Sequence, residues 1–170
     1  VTGRRAASAD MDVAVDISVE EAATAPRKVV LFPDGRRVPV QLPRYVEDGQ
    51  MIRVEGQGAV LPNGARGEAM VKLRIRKHPR YTIEGRDLHV DLPVPLREAV
   101  LGAKVPVATI GGRVALKVPE WSSSDRVLRI KGRGLPTKSG GHGDLYAHVR
   151  IMLPEAGDPE LENLMKNRDA

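Results

Sequence analysis

The sequence predicts an all-β fold: two tandem β-sandwich subdomains from an internal duplication, each with one short helix, plus a short C-terminal helical tail. Three observations carry this. The 170 residues hold 17 Gly and 13 Pro, too many helix breakers for a helical bundle. Val is the most frequent apolar residue, with 21 copies, and β-branched side chains suit strands. The chain also repeats itself. Asp10–Ala22 matches Asp87–Ala99 at an offset of 77. Val38–Pro43, Gly49–Gly58 and Gly67–Ile75 then match Val114–Pro119, Asp125–Gly134 and Gly143–Ile151 at an offset of 76. Two copies are too few for a solenoid, so each copy is read as a small closed unit. The boundaries expected are a linker remnant at 1–9, subdomains at 10–83 and 84–156, and a tail at 157–170.

The elements follow in order. Met11, Val13, Val15 and Ile17 alternate with Asp12, Ala14 and Asp16, the period of a half-buried strand. Ser18-Val-Glu-Glu21 is a capping box opening a helical turn over Ser18–Thr24. Lys28-Val-Val-Leu-Phe32 is apolar on both faces, as in a strand covered twice, or covered once and open to a partner. Pro33-Asp-Gly35 and Gly111-Gly112 read as hairpin turns. Leu73 and Ile75 alternate with Lys72, Arg74 and Arg76. In the second copy Pro95 opens and Gly102 closes a helical turn. Strands follow at Val114–Val118 and Val127–Ile130. Gly56, Gly58, Gly132 and Gly134 end strands where a positive φ or a close backbone approach is expected. In the tail, Asp158 caps a helix with Pro159 at its first position, an acidic first turn and a basic last turn. Leu161, Leu164 and Met165 form an apolar stripe too short to fold alone, which suits a homodimer contact.

Composition narrows the function. With no Cys there is no disulfide, thiolate zinc site or thiol catalysis, which fits a reducing, cytoplasmic location. No apolar run reaches the ~18–20 residues of a membrane span, and Val1–Ser8 does not read as a signal peptide. The start at Val1 without Met is that expected of a fragment. Gly132-Arg-Gly134 runs into Leu-Pro, which stops a helix where a nucleotide loop needs one to begin. Ser122–Ser124, His142 and Asp144 lack any nucleophile-elbow motif, so no catalytic residue and no enzyme activity are expected. His78, His89, His142 and His148 show no close ligand spacing, so no metal is expected. The net charge is +5. Arg129, Lys131 and Arg133 are read on one face of a strand, and Arg74, Arg76 and Lys77 form a second basic group. A solvated sheet face is the leading reading of the first cluster. The alternative is a phosphate-contacting, salt-dependent DNA surface, which would place the protein at the nucleoid.

Four motifs together resemble a known family: His78-Pro-Arg-Tyr-Thr-Ile-Glu-Gly-Arg-Asp-Leu88, Leu96-Arg-Glu-Ala-Val-Leu-Gly-Ala103, Leu128-Arg-Ile-Lys-Gly-Arg-Gly-Leu135 and Gly143-Asp-Leu-Tyr146. The chain resembles the C-terminal substrate-binding region of DnaJ-type J-domain co-chaperones. It is most similar to the zinc-finger-less class that includes curved DNA-binding protein A. The resemblance spans roughly residues 10–156, and the tail is similar to the family's dimerisation segment. It implies a groove on the first repeat that holds unfolded client polypeptide for delivery to a DnaK-type chaperone, with no cofactor. By position that groove takes Val13, Val15, Lys28, Val30, Phe32 and Tyr81. Periodicity alone reads the three valines as core, and the resemblance moves Phe32 and Tyr81 toward the groove. The His-Pro-Asp signature of a J-domain is absent, since His78-Pro79 is followed by Arg80. This stretch alone is therefore not expected to stimulate a DnaK-type ATPase.

Overall fold

Alternating strands whose ends lie far apart in sequence must be closed by long-range pairing, and both repeats solve this in one way. In the computed structural model, which describes residues 10–168, the first strand of each repeat runs parallel to its last. Strand β1 (Met11–Ile17) pairs in parallel with β5 (Ala69–Ile75), and β4 (Met51–Val54) lies antiparallel on the far side of β5. Strands β2 (Arg27–Leu31) and β3 (Arg37–Gln41) form a separate two-stranded ribbon. In the second repeat β7 (Asp87–Pro95) runs parallel to β11 (Leu145–Met152), with β10 (Val127–Ile130) beside β11. The corresponding ribbon is β8 (Ala103–Thr109) with β9 (Gly112–Val118). Each ribbon and its sheet enclose apolar side chains, the layered arrangement that the alternation predicts.

The duplication holds pair for pair. Val13 faces Val71 as Val90 faces Ala147, Ile52 faces Val71 as Leu128 faces Ala147, and Lys28 faces Val40 as Val105 faces Leu116. The same acidic staple closes both units. The Asp10 carboxylate accepts the Glu68 N–H at 3.1 Å, and the Asp87 carboxylate accepts the Asp144 N–H at 2.7 Å.

Helix α1 (Val19–Thr24) starts at Ser18 with the expected capping box, both of its reciprocal hydrogen bonds being formed. Helix α2 (Leu96–Leu101) follows extended Pro95 and ends at Gly102, whose φ is 79°. Helix α3 (Pro159–Lys166) is capped by the Asp158 carboxylate and buries none of its residues. The core is one continuous cluster. It joins Val13, Val15, Ile17, Val71 and Leu73 to Val90, Leu92, Val94, Ala147 and Val149.

One expected boundary moves. A short strand β6 (Thr82–Glu84) pairs antiparallel with β7, so the second sheet reads β10-β11-β7-β6 and begins at Thr82 rather than after residue 83. The Gly85 turn, with φ 63°, makes β6 and β7 a hairpin, and the repeat comparison could not show it. The positions matching β6 in the first repeat, 5–7, lie outside the described residues, as does the predicted linker at 1–9.

The two units are locked by arginines reaching carbonyl oxygens. Arg86 donates to Val46 O in the first unit and to Pro136 O in the second, each at 2.8 Å, and lies 4.3 Å over the Tyr45 ring. Arg44 donates to Thr137 O and Gly141 O, each at 2.8 Å.

The glycines at this junction leave no room for a side chain. A Cβ on Gly143 would lie 2.1 Å from Arg86 O, whereas one on Gly64 would meet nothing within 4 Å. Gly143→Ala is therefore expected to destabilise by about 1–3 kcal/mol or more through overpacking. Gly64→Ala strains only a positive φ and should cost about 1 kcal/mol. Denaturant unfolding of the two variants checks the ordering.

Candidate functional site

The backbone of β1 defines two edges. Met11 N–H donates to Glu68 O and Ile17 O accepts from Arg76 N–H, so Met11, Val13, Val15 and Ile17 direct their peptide groups at β5. The intervening residues, Asp12, Ala14 and Asp16, therefore aim their N–H and C=O groups at the outer edge. Among the described residues no strand pairs with that edge. In β7 the corresponding edge differs at two places. Strand β6 pairs with Asp87–His89, and further along Pro93 stands where β1 has Asp16 and carries no N–H. Among the described residues, the first unit thus leaves Asp12, Ala14 and Asp16 without a strand partner, whereas the second pairs His89 with β6 and has no N–H at Pro93, Asp91 alone matching the first unit's Ala14.

The apolar residues expected in the groove are closed over. Relative exposures are 6% at Val13, 7% at Val15, 5% at Val30, 1% at Phe32 and 6% at Tyr81. All five are core in this conformation: Val13, Val15, Val30 and Phe32 belong to the cluster enclosed by the sheet and the β2–β3 ribbon, and Tyr81 packs against His78 and reaches β8. Tyr81 also ties the units together, since its hydroxyl donates to Ala108 O on β8 at 3.0 Å. Its backbone N–H and that of Arg80 donate to His78 Nδ1, while His78 Nε2 lies 2.5 Å from Glu20 of α1.

Lys28 is the one expected groove residue that is not buried. Its Nζ donates to the Glu21 carboxylate at 2.7 Å. Burial pushes the Glu21 carboxyl up, but the hydrogen bonds from Lys28 and the Ser18 backbone N–H outweigh it and hold it below its ordinary value. At Glu20, likewise, burial is outweighed by backbone and His78 hydrogen bonds.

Two exposed residues were not singled out from sequence. Val29 and Leu31 are 61% and 69% exposed on the outer face of β2, beside Pro39 of β3. Lys28–Phe32 is therefore the strand covered once: Val30 and Phe32 point inward, and Val29 and Leu31 face solvent. The second ribbon has only Pro106 and Ala108 at the matching outer positions. The signal in the sequence was the unbroken apolar run itself.

The basic cluster read on one strand face does not form. Strand β10 ends at Ile130, so Lys131 begins a turn. The Arg129 guanidinium pairs with Asp144 at 2.7 Å, and that of Arg133 folds against Gly111 at the β8–β9 turn. The Gly132 N–H and Arg129 hold the Asp144 carboxyl below its usual range. The tail keeps Leu161 half-buried and Leu164 and Met165 exposed on α3. The histidines also depart from expectation. His89 and His148, far apart in sequence, meet across β7 and β11 with Nδ1 and Nε2 2.8 Å apart. No helix among the described residues is long and apolar enough to cross a membrane.

The family model described as the DnaJ C terminal domain matches residues 9–154. Chaperone protein DnaJ 2 of Thermus thermophilus is 39% identical over 165 residues, covering 96% of this chain and 58% of that protein. The Curved DNA-binding protein of Pseudomonas syringae pv. tomato is 38% identical over 170 residues, covering 92% of this chain and 54% of that protein. Chaperone protein DnaJ 2 of Mycolicibacterium paratuberculosis is 42% identical over 120 residues, covering 70% and 31%. The chain spans little more than half the length of the first two.

Glu20, Glu21 and Asp144 are all held below their ordinary values, which fixes the acid response. Their contribution is complete above the unfolded carboxylate range, about pH 4–4.5, and is lost as pH falls through the lower folded values. Thermal midpoints should hold from pH 7 to about 5 and then fall. Glu21→Gln should melt lower at neutral pH and fall less steeply in acid. A fall parallel to that of the parent would contradict the Lys28–Glu21 assignment.

Proposed function

The chain belongs to the DnaJ C-terminal domain family, and on that premise we propose that it is the non-catalytic polypeptide-binding part of a co-chaperone. It takes an extended apolar segment of an unfolded client as a strand beside β1 and presents it to a DnaK-type chaperone. The observation that carries this is the asymmetry between the two repeats: among the described residues no strand pairs with the outward groups of Asp12, Ala14 and Asp16 on β1, where β7 has β6 beside His89 and Pro93 in place of Asp16. Backbone hydrogen bonds to a strand edge do not depend on client sequence, which suits a binder of many unfolded chains. Alternate client side chains then fall on the side of Val13 and Val15, toward Val30 and Phe32. Val13 and Val15 serve as the floor, which the client reaches when the β2–β3 ribbon lifts, and Val30 and Phe32 move with that ribbon as the opposite wall. Lys28 stands at the rim, and Tyr81 anchors the neighbouring linker.

A homodimer completes the reading. Helix α3 leaves Leu164 and Met165 exposed, at 49% and 56%, beside half-buried Leu161. A second copy is the simplest partner for that stripe, and two β1 edges in one dimer hold one client with avidity. Double-stranded DNA is the second reading. It draws on the name of the Pseudomonas relative and on the net charge of +5. Arg129 and Arg133 are engaged within the protein, so a DNA surface there would rest largely on Lys131.

Asp16→Pro gives β1 the residue that β7 carries at the matching position and removes one outward N–H without touching a bond to β5. It is expected to weaken binding of an apolar peptide about tenfold, the loss of one to two hydrogen bonds, with only a small change in melting temperature. Asp16→Ala keeps the N–H and should bind as the parent does. Fluorescence titration decides, and equal affinity in all three proteins would remove β1 as the acceptor. Sedimentation should show a dimer that Leu164→Asp/Met165→Asp converts to a monomer.

A further inference from the structure

The outer face of the second sheet gathers chemistry that peptide binding does not use. Parallel pairing sets His89 opposite Tyr146 and His148 opposite Asp91, so the two histidines are diagonal neighbours on one face. His89 Nδ1 and His148 Nε2 lie 2.8 Å apart. The Glu84 carboxylate of β6 approaches His89 from behind, 3.1 Å from Nε2, and the Tyr146 ring stacks on the His89 ring at 5.2 Å. We propose that His89 and His148 form a chelating pair for a divalent late-transition-metal ion such as Ni²⁺, Cu²⁺ or Zn²⁺.

Metal–imidazole bonds of about 2.0–2.1 Å place two cis nitrogens about 2.9 Å apart at a right angle and about 3.3 Å apart at a tetrahedral angle. The observed N···N spacing is within a few tenths of an ångström of the right-angle value that suits Ni²⁺ and Cu²⁺; the two nitrogens face each other head-on, with ring centroids 5.1 Å apart, so both rings turn to aim their lone pairs at one ion. Glu84 supplies the carboxylate behind a ligating imidazole, which fixes the His89 hydrogen on Nε2 and leaves the Nδ1 lone pair facing His148. In the metal-free pair that lone pair accepts the His148 Nε2–H. The ion takes the place of this hydrogen when His148 carries it on Nδ1 instead, a change between two neutral tautomers that releases no proton. Among the described residues no group of three ligating side chains gathers, so solvent fills the remaining positions. The recess is also lined by Arg80, Thr82, Asp91 and Arg150. Arg150 is occupied by Asp91 and Asp125, which limits its repulsion of a cation. A bound ion would tie β11 to β7 and, through Glu84, to β6.

The test is calorimetric titration of the 170-residue chain with NiCl₂, with MgCl₂ as control, alongside melts in EDTA and in Ni²⁺. One saturable Ni²⁺ site per chain is expected, with no Mg²⁺ site and a melting temperature raised by Ni²⁺. His89→Gln and His148→Gln should each weaken binding at least about tenfold and abolish the Ni²⁺ shift, while melting as the parent does in EDTA. His78→Gln, which alters the His78–Glu20 pair instead, should bind normally. The assignment is overturned if the parent shows no saturable Ni²⁺ site. It is equally overturned if the His89 and His148 variants keep the parent's affinity, or if His78→Gln alone removes binding.

Discussion

Each unit is closed by a parallel contact between its first strand and its last, and most other features follow from that closure. A carboxylate at the start of the first strand, Asp10 or Asp87, accepts the N–H of the residue before the last strand. From there the register is fixed over the whole length of the pair. A one-residue slip would turn Val13, Val15 and Ile17 out of the core and Asp12, Ala14 and Asp16 into it, so the alternation enforces what the staple begins. Parallel pairing also dictates connectivity, because the chain must travel from one strand end back to the other. The short helix, the ribbon and the antiparallel strand occupy that return path in both copies.

The same closure explains why two copies of one fold differ in what they can do. Once the last strand occupies one side of the first, only the other side remains. In the second copy a hairpin strand covers part of that side and a proline removes one donor from it. In the first copy no strand among the described residues pairs with it. Hydrogen bonds tie the two units to each other across the linker. Arg86 and Arg44 cross between them to carbonyl oxygens, and Tyr81 reaches from the linker to β8. A client on the first unit would therefore be held against a fixed neighbour.

Much of this was legible in the residues. The two-residue alternation, the capping box at Ser18 and the repeat offsets led to the strands, helices and duplication that the structure contains. Gly56 and Gly132 do adopt positive φ, and a Cβ on Gly134 would lie 2.5 Å from Arg86 O. Features that depend on distant pairing were not legible. No local pattern separates β6 from a linker, because Thr82–Glu84 is short and exposed and gains its strand character only from β7. Nor does any local pattern bring His89 to His148. A period of two placed Arg129, Lys131 and Arg133 together, but the chain turns after Ile130 and the period ends there. Phe32 and Tyr81 were placed by resemblance near a groove; the ribbon buries Phe32, and the contact with His78 and β8 buries Tyr81, neither of which a local pattern encodes.

The central claim is that the outer edge of β1 accepts a client strand. Amide hydrogen exchange resolved by residue, with and without a saturating apolar peptide, tests it most directly. Without peptide, Val13 and Val15 should exchange slowly and Asp12, Ala14 and Asp16 quickly, since only the former donate into the sheet. With peptide, those three outward amides should become protected while the β7 amides stay unchanged. Protection confined to Val29 and Leu31, with Asp12, Ala14 and Asp16 still exchanging quickly, would contradict the account and move the site to the outer face of the ribbon.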